Sequence, residues 1–202
     1  MARDRASRPE AKPVRLFVAF EVPGEVRAEL SRAVAPLRER FSKARWVPEG
    51  NQHVTLKFLG STFPRLVEWV TSTVGEVASA HGVFETWVAH LGAFPNQRRA
   101  RVLWAGLGDP DSRAAAIATA LDGALARKFK PETRAFTPHL TVARFEPPVG
   151  LDPGEIGFES APFTVDHVVL FRSHLRRPAP VYEQLATFAL TGVAHRTRPR
   201  AI

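Results

Sequence analysis

His53 and Thr55 stand two residues apart in NQHVTLKFLG (51–60), and His139 and Thr141 stand two apart in TPHLTVARF (137–145). Apolar residues fill the alternate positions: Val54 and Leu56 in the first copy, Leu140 and Val142 in the second. Side chains along a β-strand alternate between its faces. Each copy therefore buries its apolar residues on one side and presents an imidazole with a hydroxyl on the other. An imidazole, with an ordinary pKa of about 6.5, takes up or releases a proton near neutrality. Two of them across a cleft let one deprotonate a nucleophile while the other protonates a leaving group. In-line displacement at phosphorus puts those events on opposite sides of one atom. The hydroxyls of Thr55 and Thr141 can then donate hydrogen bonds to the non-bridging oxygens, where charge grows in the transition state.

Secondary candidates flank the two motifs. Lys57 follows His53 and Thr55 by alternation and would meet a phosphate as a point charge. Arg144 falls on the opposite phase from His139 in a regular strand, so it needs a twist or a strand end to reach the same face. The copies differ here, with Lys57 aligned to Ala143 and Phe58 to Arg144. Arg98, Arg99 and Arg101 decorate a predicted hairpin and read as a charged, soluble edge. Phe136 reads as core rather than as a base-stacking ring. His81, His90, His167, His174 and His195 lack a partner motif. Asp166 and His167 are adjacent on a predicted strand and would point apart, and no GxSxG elbow is present. No third histidine or carboxylate stands at chelating spacing, so neither metal nor cofactor is expected.

The two copies lie about 86 residues apart, the mark of an internal duplication, and the elements around them repeat in kind. RLFVAFE (15–21) reads as a buried strand, followed from Glu25 by an amphipathic helix that Pro36 should split. Arg45 to Val47 is a short strand or loop before the first motif strand. A helix is predicted over 66–80, then strands over 84–92 and 100–107. Asp109-Pro110-Asp111-Ser112 caps an Ala-rich helix over 113–129. The second motif strand follows, then strands over 163–171 and 181–190. The expected fold is α+β: two pseudo-symmetric lobes, each an antiparallel sheet with helices on its outer face, around a central cleft.

The 202 residues suit one domain or two small lobes, with 45% hydrophobic and 24% charged residues. One bilobal domain is expected over 14–190, between disordered basic tails at 1–13 and 191–202. The tails carry much of the net charge of +8, leaving about +3 in the body, a mild bias. There is no cysteine, no apolar run long enough to span a membrane and no apolar signal core near the start, so a cytoplasmic protein is expected.

HVTLKFLG and HLTVAR resemble the paired His-x-Thr-x motifs of the 2H phosphoesterase superfamily. More narrowly, the chain is similar to the RNA 2′,3′-cyclic phosphodiesterases historically called 2′-5′ RNA ligases. RLFVAFEVP, GAFPNQRRARVLWAGL and VVLFRSHLRRPAPVYEQLATF extend the likeness over roughly Val14 to Leu190. The resemblance implies that both motif strands line the cleft between two lobes related by a pseudo-two-fold. It implies hydrolysis of a ribose 2′,3′-cyclic phosphate to a 2′-phosphomonoester, with His53 as proton donor and His139 as proton acceptor. The pseudo-symmetry of the motifs leaves that assignment reversible. The family often carries a basic residue at the position of Arg144. The implied partner is RNA with a 2′,3′-cyclic phosphate end, with tRNA fragments and small cyclic nucleotides as candidate molecules. A monomer that needs no membrane is expected. Two alternatives are 2′-5′ RNA ligation, which water at high concentration opposes, and RNA-end binding without turnover, which needs donors but not two titratable groups.

Overall fold

The structure is a computed structural model that describes residues 12–192, so most of both predicted tails lies outside the described residues. Nine strands and four helices are described. The strands are β1 (Val14–Glu21), β2 (Arg45–Trp46), β3 (His53–Thr62), β4 (Phe84–Phe94), β5 (Ala100–Gly108), β6 (His139–Val149), β7 (Phe163–Val165), β8 (His167–His174) and β9 (Val181–Ala189). The helices are α1 (Gly24–Ala33), α2 (Ala35–Arg40), α3 (Val67–Ser79) and α4 (Arg113–Leu125). No helix among the described residues is long and apolar enough to cross a membrane.

The strands follow the order β7-β4-β5-β6-β3-β1-β8-β9, with β2 beside β6, and neighbours run antiparallel. The two motif strands, β6 and β3, are the central neighbours. Four strands build each lobe, and the pseudo-two-fold passes between β3 and β6. The lobes are not halves of the sequence: β1 and β3 are completed by β8 and β9 from the far end of the chain.

Alternation sorts the side chains into two layers. In β1, Leu16, Val18 and Phe20 enter the main core, while Phe17 and Ala19 face the other way and join Val169 and Phe171 of β8. The helices cover the main-core side. α3 packs on α4, β8 and β9, and α4 packs on β3. Phe41, just past α2, and Trp46 of β2 meet Phe145 of β6 edge-on at 5.4 and 6.5 Å between ring centroids. Phe136 packs against the same core.

Local signals explain most boundaries. Pro36 lies in the first turn of α2, and the predicted helix divides at Val34. The Asp109 carboxylate accepts hydrogen bonds from the backbone N–H groups of Ala114 and Ala115 at 3.2 and 3.0 Å, capping α4. The helix expected over 113–129 ends earlier, at Leu125, and one strand expectation fails. The strand predicted over 163–171 is two strands broken at Asp166, and they serve opposite lobes: β7 pairs with β4, and β8 with β1. A strand-like stretch does not by itself reveal a change of partner.

Candidate active site

The two motif strands meet at Val54 opposite Leu140. Stepping one residue each way along an antiparallel pair sets His53 across from Thr141 and Thr55 across from His139. Directly opposed residues have Cβ atoms about 5 Å apart. All four side chains share the face away from the main core and all are half-buried. Neither threonine hydroxyl is taken up by another described residue.

Both strands carry a bulge just after the threonine. Ala19 pairs with Thr55 and Val18 with Lys57, skipping Leu56. Trp104 pairs with Thr141 and Leu103 with Ala143, skipping Val142. A bulge shifts the phase of everything beyond it. The consequences correct the simple alternation. Lys57 turns into the core at 2% exposure and is not beside Thr55. Its Nζ donates to Asp122 Oδ1 of α4 and to the Lys130 carbonyl at 2.8 Å, with Glu132 Oε1 at 3.7 Å. Phe58 takes its place on the cleft face, 62% exposed. The matching bulge in β6 brings Arg144 onto that face, which regular alternation denied it. No carboxylate partner holds Arg144 among the described residues.

His53 sits in an aromatic clamp. Its ring stacks on Phe17 at 4.7 Å and lies 6.0 Å from Phe171, and Tyr182 of β9 meets it edge-on at 5.2 Å. Burial among these rings lowers its pKa from 6.5 to about 4, against a smaller opposing effect from a hydrogen bond to the Asn51 backbone. An NMR titration is expected to find His53 neutral down to about pH 4. The unfolded chain takes up this proton first. Stability is therefore level above about pH 6.5 and falls as the pH drops from there to about 4.

His139 is oriented by the equivalent contact. Its Nδ1 lies 2.7 Å from the Thr137 carbonyl oxygen. A carbonyl only accepts, so Nδ1 carries the proton and Nε2 is left free. Phe94 and Trp104 stand against the ring at 5.4 and 5.9 Å. The Trp104 indole needs bare backbone beneath it. A Cβ at Gly92 would lie 2.2 Å from the indole, and one at Gly106 would lie 2.6 Å from the His90 ring and 2.8 Å from Trp104. Gly92→Ala is expected to rotate Trp104 away from His139 and, with His139 the expected proton acceptor, to lower turnover by roughly tenfold, because misplacing a reacting group by about 1 Å is costly. Steady-state kinetics with a fluorescence spectrum of the variant checks this.

Several cleft residues escaped the sequence reading. Phe17, Phe171 and Tyr182 come from three segments that read as strands, with no sign that these rings meet His53. His90 was set aside, yet its ring lies 5.3 Å from that of Trp104. His167 was expected to point away from Asp166, but its Nδ1 contacts Asp166 Oδ1 because Asp166 lies between strands. His81 binds the Val77 carbonyl at a helix end, and His174 pairs with Glu183. Among the described residues no three His, Cys, Asp or Glu side chains gather as a metal-binding group.

Known proteins are similar to this chain in sequence and fold. Residues 23–177 match the 2′-5′ RNA ligase superfamily. An RNA 2′,3′-cyclic phosphodiesterase of Methanothermobacter thermautotrophicus is 30% identical over 184 residues, covering 88% of this chain and 99% of the relative. The crystal structure of TT0787 of Thermus thermophilus superposes with a TM-score of 0.74 at 28% identity, covering 88% of this chain and 98% of that one. That of E. coli LigT complexed with 3′-AMP gives 0.69 at 25% identity, covering 89% and 99%. With its two motif strands paired at the centre of a two-lobed sheet, the chain belongs to the 2′-5′ RNA ligase superfamily, among the 2H phosphoesterases.

Proposed function

We propose that the protein hydrolyses the 2′,3′-cyclic phosphate end of RNA to a 2′-phosphomonoester, using His53 and His139 as paired acid and base without a metal ion. The observation that carries this reading is the pairing of Val54 with Leu140, which sets each histidine across from the other motif's threonine on one open face. The relative from Methanothermobacter thermautotrophicus, an RNA 2′,3′-cyclic phosphodiesterase, points the same way.

His139 accepts a proton from water as the water oxygen attacks phosphorus. The bond from phosphorus to the 3′ oxygen breaks, and His53 delivers a proton to that oxygen. Attack and departure lie on opposite sides of phosphorus, as in-line displacement requires. Thr55 and Thr141 donate to the non-bridging oxygens, and the Arg144 guanidinium neutralises their charge. Burial holds His53 neutral in the empty cleft. As donor it depends on the substrate: an anion within hydrogen-bond reach raises an imidazole pKa.

The test is incubation of an RNA oligonucleotide bearing a 2′,3′-cyclic phosphate end with the protein and excess chelator. The expected product is the 2′-phosphomonoester, identified by phosphorus NMR. No turnover, a 3′-phosphate product or dependence on an added divalent ion would contradict the reading.

A further inference from the structure

The chain has a single tyrosine, and it stands in the cleft. Tyr182 meets His53 edge-on at 5.2 Å, Phe17 at 5.0 Å and Phe171 at 6.5 Å. A phenylalanine would satisfy all three packing contacts, so they leave the hydroxyl unexplained. That hydroxyl has no hydrogen-bond partner among the described residues, and on a half-buried ring it is left open to the cleft. Burial pushes the phenol pKa upward, while the charge of Arg144, from the opposite lobe, acts in the other direction. The group is therefore a protonated donor, and the cation on β6 is near enough to be felt.

Its placement is fixed from both sides. Asn51 Nδ2 donates to the Pro180 carbonyl at 2.8 Å, two residues before Tyr182. The backbone of the same Asn51 takes the hydrogen bond of His53. One residue thus sets the histidine ring and the start of β9 together. Across the pseudo-two-fold, the place of β9 is held by β7, a three-residue strand of Phe163, Thr164 and Val165. Tyr182 has no counterpart there. Thr55 and Thr141 are related by symmetry and cannot distinguish the two ends of a bound phosphodiester. Tyr182 can.

We propose that Tyr182 is a further substrate-contacting residue, whose hydroxyl donates a hydrogen bond to a non-bridging oxygen of the phosphodiester on the His53 side of the cleft, facing Arg144. This rests on the hydrolase reading given above. The hydroxyl fixes which way round the anion lies between the two imidazoles and helps to stabilise its growing charge.

Tyr182→Phe removes the hydroxyl and keeps the ring, so the clamp on His53 remains. The expected result is a fall in kcat/KM for cyclic-phosphate-ended RNA of roughly 10- to 100-fold, the range for a hydrogen bond to a charged group. The His53 titration midpoint stays where it is, which a general loosening of the clamp would not allow. Inorganic phosphate, titrated by NMR, is expected to bind the variant several-fold more weakly. If the wild-type protein turns over the RNA and Tyr182→Phe matches it within twofold, this inference fails and the hydrolase reading stands. If the wild-type protein does not turn over the RNA, the hydrolase reading fails, and phosphate affinity decides the role of the hydroxyl. Equal affinities in the two proteins would then overturn it.

Discussion

Replacing His53 or His139 with alanine is expected to lower kcat/KM for a cyclic-phosphate-ended RNA by about 10³-fold or more. General acid or base catalysis by a positioned side chain contributes about 10²- to 10⁴-fold. In the proposed mechanism each imidazole also helps to hold the anion, so the expected loss lies toward the upper end of that range. The double substitution is expected to cost little more than the worse single one, because an acid and a base acting on one phosphorus form a unit. The fold should survive. His53 and His139 stand on the open face of the central strands, and the main core beneath them is built from Val54, Leu56, Leu140 and Val142. Circular dichroism and a melting curve separate loss of chemistry from loss of structure. A variant with either alanine that retained full activity would remove the mechanism.

Lys57→Met is expected to be the most damaging single change to stability outside the apolar core. Lys57 is 2% exposed, and its ammonium joins three pieces of chain: β3, Asp122 on α4, and the segment from Lys130 to Glu132 that leads to the second motif. Asp122 Oδ1 also accepts the Glu132 backbone N–H at 3.0 Å. Removing one partner of a buried pair leaves the other charge uncompensated, at a cost of about 3 kcal/mol. Asp122 reaches some water, with its side chain 22% exposed, which moderates the loss. The Lys57 hydrogen bond holds the Asp122 pKa below the usual carboxylate value. Its contribution is therefore present above the unfolded pKa and is lost as the pH falls through the folded one. The difference in Tm between wild type and Lys57→Met should accordingly shrink in acid. Adding Asp122→Asn to Lys57→Met should recover part of the loss, since the stranded charge is gone. A Lys57→Met protein as stable as wild type at neutral pH would show the ion pair to be dispensable.

The motif strands and the helices were legible because each rests on a local pattern, whereas the cleft between two lobes was implied by the family resemblance. His-x-Thr with alternating apolar neighbours marks a half-buried strand wherever it occurs, and Pro36 announces the division of α1 from α2. What stayed hidden depends on partners far away in sequence. The bulges at Leu56 and Val142 arise from pairing with β1 and β5, and nothing within HVTLKF or HLTVARF marks the skipped residue. Those bulges decide that Lys57 is buried while Phe58 and Arg144 line the cleft. Likewise, FTVDHVVLF reads as one strand, and only the tertiary arrangement shows Asp166 passing the chain from one lobe to the other. The aromatic clamp on His53 draws on β1, β8 and β9, so no window of the sequence contains it.

The pH dependence of kcat/KM for a cyclic-phosphate-ended RNA, measured in excess chelator, tests the paired imidazoles most directly. A bell-shaped profile is expected. The paired mechanism needs one imidazole neutral as base and the other protonated as acid, so activity falls where both carry a proton and where neither does. A profile without two limbs, or activity that vanishes in chelator and returns with a divalent ion, would contradict the account.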